Sequence, residues 1–283
     1  ASMVINGSEF WTGPLCALRN QASAYYTHRK LYINDSGNVL TVDKPISLPD
    51  AQIHATIHAM SGGPSMVGDD IDRMDEERLN IIKKTLPRST QVAFPLDLFE
   101  SPYPDYPKLY HKKIEKSWGR FDILTVYNFD SSTLDIDIPF SKLGLDQSAS
   151  YHVWEFWDCK YLGPMKTSLK SVIPPGSVKV FRITEDTNRP VIIGTDMHIC
   201  MGEEEIKCCS YDPDSRTFTA TAARPLGESG SIFIHVPKGM YLEDNKGLWV
   251  SKDARYEFLI IRASLKFDKS TESTCSFKVN PII

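Results

Sequence analysis

Two short stretches of this chain place carboxylates where they could meet a ligand. In Ser65-Met66-Val67-Gly68-Asp69-Asp70 a three-residue run runs straight into an acidic turn, and Leu31-Tyr32-Ile33-Asn34-Asp35-Ser36-Gly37 repeats the arrangement. A carboxylate directly after a short buried strand can face a substrate held over the strand ends of an α/β protein. Asp69 and Asp70 could equally cap the next helix, because a side-chain oxygen accepts from first-turn N–H groups. His54 and His58 lie four apart, a spacing that binds zinc when a third ligand joins. No third ligand is apparent, so neither a metal nor a cofactor is expected, and two histidines packed in a helical layer is the plainer reading. Trp118, Trp154, Trp157 and Trp249, with Tyr151 and Phe156, could stack on the apolar faces of pyranose rings or simply fill a β core.

The elements that must position these groups change character along the chain. Leu15 to Lys30 carries Leu18, Ala22 and Tyr25 at helical spacing. Ala51 to Met60 predicts a second helix, with Pro49 ahead of it and Ser61-Gly62-Gly63-Pro64 to end it. A third begins near Asp75. Its acidic first turn (Glu76, Glu77) and basic last turn (Lys83, Lys84) complement the helix dipole, and Pro87 stops it. Leu31–Ile33 and Ser65–Val67 read as short buried strands between these helices. Pro95, Pro102, Pro104 and Pro107 then mark an irregular linker. From Trp118 on the texture is β: 121–127, 133–138, 150–157, 177–183, 191–194, 217–222, 231–236 and 256–264 are short and separated by turn residues, which predicts one or two antiparallel sandwiches. Glu203-Glu204-Glu205 reads as a solvated turn.

Bulk properties narrow the partners. A net charge of −4 over 283 residues, with pI near 6.0, gives no reason to expect nucleic acid or an anionic membrane. No apolar run is long enough to span a bilayer. No signal peptide is visible, and Ala1-Ser2 before Met3 reads as a tag remnant. Cys16, Cys159, Cys200, Cys208, Cys209 and Cys275 form no CxxC pair and read as free thiols, which leans towards a cytoplasmic location. The sequons Asn6-Gly7-Ser8 and Asn34-Asp35-Ser36 arise easily by chance.

Three segments together resemble the melibiase-type glycoside hydrolases, the α-galactosidases with their raffinose synthase and seed-imbibition relatives. They are WTGPLCALRNQASAYYTHRKLYIND, the IHAMSGGPSMVGDD…ERLNIIKKTLP block and WGRFDILTVYNFD. The resemblance runs through roughly the first ninety residues and into the β region. It implies a (β/α)8 catalytic barrel followed by a β-sandwich, and hydrolysis of α-galactosides with retention. That chemistry needs two carboxyls about 5–5.5 Å apart, one a nucleophile and one an acid/base. Placed on this pattern, Leu31–Ile33 is barrel strand seven and Ser65–Val67 strand eight. Strands one to six, and the nucleophile with them, have no counterpart. The family's acid/base falls on Asn6, whose amide cannot exchange that proton. Glu9 is out of register, and Gly37 replaces the second Asp of the family's Trp-Asn-Asp-Pro-Asp turn while Asp35 survives.

The resulting expectation is an α/β plus all-β chain. Residues 1–95 would be the last two βα units of a barrel, 96–117 a linker, 118–186 a β-sandwich and 187–283 a second sandwich-like half. Function is expected to be that of a C-terminal portion of a retaining α-galactosidase-like hydrolase, inactive alone, with no catalytic residue of its own. Trp11, Asp35, Gly63 and Asp69 are the expected substrate-binding residues. The expected partners are an oligosaccharide or galactoside substrate of the parent enzyme, and a second copy or the missing barrel half to cover open edges. The alternative is a non-catalytic β-sandwich that binds carbohydrate or a partner chain.

Overall fold

The computed structural model describes residues 13–35, 39–101, 105–244, 247–252 and 258–282. Its α-helices are α1 (Pro14–Ala24), α2 (Leu48–Met60) and α3 (Glu76–Lys83). Its strands are β1 (Phe94–Pro95), β2 (Leu109–Lys116), β3 (Gly119–Asn128), β4 (Leu134–Pro139), β5 (Tyr151–Glu155), β6 (Lys160–Met165), β7 (Ser168–Ile173), β8 (Ser177–Glu185), β9 (Val191–Thr195), β10 (Ile206–Asp212), β11 (Thr217–Ala223), β12 (Ser229–Val236), β13 (Met240–Leu242), β14 (Leu248–Lys252), β15 (Leu259–Lys266) and β16 (Glu272–Pro281). The chain divides into two compact units. The first comprises 1–113, 122–148 and 167–181; the second comprises 114–121, 149–166 and 182–283.

In the first unit α2 is the centre. Ser47 caps it by accepting from the Asp50 N–H at 3.2 Å, Pro49 fits the first turn, and almost every residue from Asp50 to Met60 is buried. Asp75 caps α3 in the same way through the Arg78 N–H at 3.0 Å. α1 is shorter than the sequence suggests: it gives way to a 3-10 turn at Tyr25–Thr27, and Arg29 then adopts φ 58°. β4 pairs with β7, and β1 with β2. The segment expected as a linker therefore ends in a strand, because Tyr110, His111, Lys112 and Ile114 turn inward despite their polar company.

The two expected barrel strands do not form. Leu31–Ile33 and Ser65–Val67 contribute only single parallel bridges, His28 with Tyr32 and Leu40 with Val67. The second is made by the Leu40 N–H to the Met66 carbonyl and the Gly68 N–H to the Leu40 carbonyl. Neither run is buried: Leu31 is 80% exposed and Met66 68%. The described residues form no closed barrel, and the described chain is dominated by antiparallel sheet. No described helix is long and apolar enough to cross a membrane.

The second unit contains a sandwich. One sheet runs β10-β11-β16-β13 and the other β14-β15-β12-β9. Strict alternation drives their packing. Phe218, Ala220 and Ala222 of β11 and Cys275, Phe277 and Val279 of β16 face Ile232, Ile234 and Val236 of β12 and Ile261, Ala263 and Leu265 of β15 in one core. The acidic run at 203–205 is not a solvated turn. Glu205 is fully buried, where its carboxylate accepts from the Thr195 hydroxyl and from the Gly202 N–H at 2.9 Å. Arg182 is buried nearby, donating to the Met201 carbonyl and, at 2.9 Å, to the Ile192 carbonyl, with its guanidinium 3.8 Å from the centre of the Phe121 ring.

Candidate functional site

A concavity of the second unit lies over the outer face of β12, β15 and β14, opposite the β5–β6 hairpin. It encloses about 850 Å³. The strand period that sends Ile232, Ile234 and Val236 into the core sends Phe233 and His235 to this face. From β5, Trp154 stacks on Phe233 with ring centres 4.1 Å apart, and one step along His152 lies on His235 at 3.8 Å. A stacked pair and a tilted pair thus join the hairpin to the sheet. Gly194 of β9 makes room, since a Cβ there would come within 2.6 Å of the Trp154 ring. Trp249 sits across from Arg262 in the β14–β15 register and is 61% exposed. Lys160, Ser251, Arg262 and Ser264 supply hydrogen-bonding groups around the aromatic surface. An exposed indole beside fixed donors can stack on the apolar face of a sugar ring while its hydroxyls accept from the cations.

Behind this wall, His152 Nδ1 lies 2.8 Å from the Tyr161 hydroxyl, and Tyr161 itself lines the cleft. Asp186 is held beside β5 by the bond from its N–H to the Ser150 carbonyl, and its Oδ1 lies 3.6 Å from His152 Nε2. One ligand atom each of His152, Asp186 and His235 fall within 4.8 Å of one another. Burial, reinforced by the neighbouring His152, pushes His235 down to about 3, and the His152 side chain holds Asp186 down to about 2. At neutral pH Asp186 is therefore ionised and His235 neutral.

The residues expected to bind substrate lie in the first unit. Gly63 packs so closely on the chain after residue 33 that a Cβ would sit 1.7 Å from the Asn34 carbonyl oxygen and 3.5 Å from the Asp35 Cα. The structure thus brings Gly63 and Asp35 together, with Asp35 exposed. Asp69 is engaged elsewhere: its Oδ2 accepts from the Val42 N–H at 2.6 Å and the Asp43 N–H at 3.3 Å, closing the loop after Leu40. Trp11 lies outside the described residues, as do Asn6, Glu9 and Gly37. His54 and His58 are packed edge to face at 4.9 Å, His54 against Thr41 and His58 against Ser65. Burial lowers both, His58 to about 3.

No family model matches the chain, and no curated protein matches it significantly. Solved structures do. An α-galactosidase from Saccharomyces cerevisiae aligns with TM-score 0.50 and 9% identity over 62% of this chain and 52% of that one. Over the aligned part the chain has the fold of that portion of the yeast enzyme. The same yeast enzyme solved with raffinose gives 0.49 and 10% identity over 62% and 52%, and α-galactosidase I from Mortierella vinacea gives 0.49 and 15% over 60% and 44%. The chain spans about half the length of the solved structures it matches.

Sequence reasoning singled out Trp154 and Trp249 among several aromatics, and the structure places these two in one cleft. Trp118 instead stacks on Phe121 at 5.7 Å and donates to the Ile206 carbonyl, and Tyr151 and Phe156 are buried. His152, Asp186 and His235 were missed. They come from three separate elements, so no spacing betrays them. Only the inward–outward alternation of β12, which strands His235 opposite the core, carried a signal.

Proposed function

We propose that this chain is the C-terminal part of a retaining glycoside hydrolase acting on α-galactosides, and that it has no turnover of its own. The fold shared with the yeast α-galactosidase supports the first half of this reading. In it, the nucleophile and the acid/base come from barrel strands outside this chain. Asp35 and Gly63 belong to the rim of the sugar site, and Asp69 acts through the loop it closes at Val42 and Asp43. Leu31, Ile33, Met66 and Val67 are exposed, and the remaining barrel covers them. The purified chain should release no nitrophenol from an aryl α-galactoside. Sustained release, unaffected by Asp35→Asn, would remove both the inactivity and the assigned role.

A second reading rests on the aromatic cleft of the second unit: the sandwich holds a pyranose against Trp249 and the Trp154–Phe233 pair. Oligosaccharide titration followed by tryptophan fluorescence tests it. Binding should saturate and weaken about tenfold in Trp249→Ala, the loss of one stacked ring. No saturable change with galactosides, or a change indifferent to Trp249, counts against it.

A further inference from the structure

We infer that His152, Asp186 and His235 form a site for a divalent transition-metal ion of the zinc class in the second unit, behind the wall of the aromatic cleft. The inference is independent of any sugar at the cleft or of hydrolase activity.

Three observations carry it. First, the donor set is right for such an ion: two imidazoles and one carboxylate, with one ligand atom from each within 4.8 Å of the others. Second, each ring keeps one buried nitrogen with no hydrogen-bond partner. They are His152 Nε2 and His235 Nδ1, on side chains 1% and 3% exposed. Buried polar atoms are nearly always satisfied, and an orphaned nitrogen on each of two rings packed beside a carboxylate calls for a ligand. Third, the outer contacts fit. His152 Nδ1 is engaged by the Tyr161 hydroxyl at 2.8 Å, the kind of second partner that fixes the tautomer of a metal-bound histidine. If that nitrogen carries the proton, Nε2 presents a bare lone pair to the Asp186 oxygen 3.6 Å away, a contact that a metal ion would relieve. The Asp186 carboxylate is itself oriented by the Asn188 N–H at 3.0 Å. On binding, the two rings, now tilted 35° with centres 3.8 Å apart, would splay so that both nitrogens reach the ion; that movement is confined to the side chains of β5 and β12.

The rival account is a proton in place of the ion: Tyr161 donates to Nδ1 and Nε2–H faces Asp186. Cobalt(II) titration of the purified full-length chain distinguishes them. The metal account predicts one equivalent bound, the visible absorption of four- or five-coordinate cobalt, and displacement by zinc. Asp186→Asn should weaken binding at least tenfold, and Tyr161→Phe, which touches no ligand atom, by about tenfold. His235→Gln should abolish it. Should that variant not fold by circular dichroism, the half-exposed Asp186 position decides. Absence of stoichiometric binding overturns the inference, as does binding unchanged in Asp186→Asn. So does a sulfur-to-cobalt charge-transfer band, which would assign the ion to a cysteine such as Cys159.

Discussion

The two units hold their chains in place by different means. In the sandwich, backbone ladders run along β11–β16 and β12–β15 and one shared apolar core lies between the sheets. Around α2 of the first unit the connecting segments have almost no ladder, and side chains take its place. Arg88 donates to the Gly63 carbonyl, the Ser61 hydroxyl and the His58 carbonyl. Arg78 reaches the Val42 carbonyl at 3.1 Å, Asp69 accepts from Val42 and Asp43, and His28 bridges the Asn34 N–H and the Thr90 carbonyl. A ladder spreads its hydrogen bonds over many residues. A clamp concentrates them in one, so its loss leaves several backbone groups unsatisfied at once.

The sharpest test of this contrast is a pair of arginines. Arg182 is a place where the sandwich unit also depends on a single polar group, and burial holds its pKa down to about 9. Arg182→Ala should cost about 4 kcal/mol, because it strips buried Glu205 of a nearby positive charge and opens a cavity. Arg88→Ala should cost about 2–3 kcal/mol through the carbonyls it abandons. Urea denaturation measures both. If Arg88→Ala proves neutral, the clamps are decoration and the contrast fails.

Two glycines sharpen it further. At Gly63 the obstacle to a methyl group is a backbone carbonyl, so Gly63→Ala should cost about 3 kcal/mol and displace Asn34 and Asp35. At Gly194 the obstacle is the Trp154 ring, which can tilt, so Gly194→Ala should cost about 1–2 kcal/mol while altering indole fluorescence.

Acid probes the helical layer through His58. The folded-state pKa of His58, about 3, lies below its ordinary value of 6.5, so the unfolded chain binds the extra proton. His58 therefore leaves stability intact above about pH 6.5 and removes it as the pH falls towards 3, by up to about 1.4 kcal/mol per pH unit. His58→Gln should flatten the pH dependence of the denaturation midpoint over that window by about one proton. An unchanged slope would mean that His58 is already charged in the fold.

The smallest effect belongs to the cleft. Trp249 is largely exposed, so Trp249→Ala should change stability by less than about 0.5 kcal/mol while it weakens oligosaccharide binding.

How far the sequence speaks follows the same division. α2 and α3 were legible from Pro49, the charge order at 76–84 and the closing Ser61–Pro64 turn, and the structure adds the first turn of α2 from Leu48, with Pro49 inside it, and the Ser47 and Asp75 caps. β3, β9, β11 and β12 were legible because their apolar residues stand in runs or alternate. β10 and β16 were not: ESTCSFKVNP buries just Cys275, Phe277 and Val279 among polar neighbours. Leu31–Ile33 and Ser65–Val67 misled because apolar composition signals burial only when another element arrives to cover it, and hydropathy does not record whether one does. The turn that exposes Asp35 was readable from Asn34, Ser36 and Gly37; its approach to Gly63 was not. The cleft was not, since it depends on which of two strand faces each tryptophan takes and on a glycine in a third strand.

The central claim is that the sugar-cleaving nucleophile lies outside this chain. A retaining glycosidase forms a covalent bond between its nucleophilic carboxylate and the sugar, and a 2-deoxy-2-fluoro-galactosyl fluoride traps that intermediate. Mass spectrometry of the purified chain after exposure to this reagent should show no added galactosyl mass. A stoichiometric adduct mapped to any Asp or Glu of the chain would contradict the account.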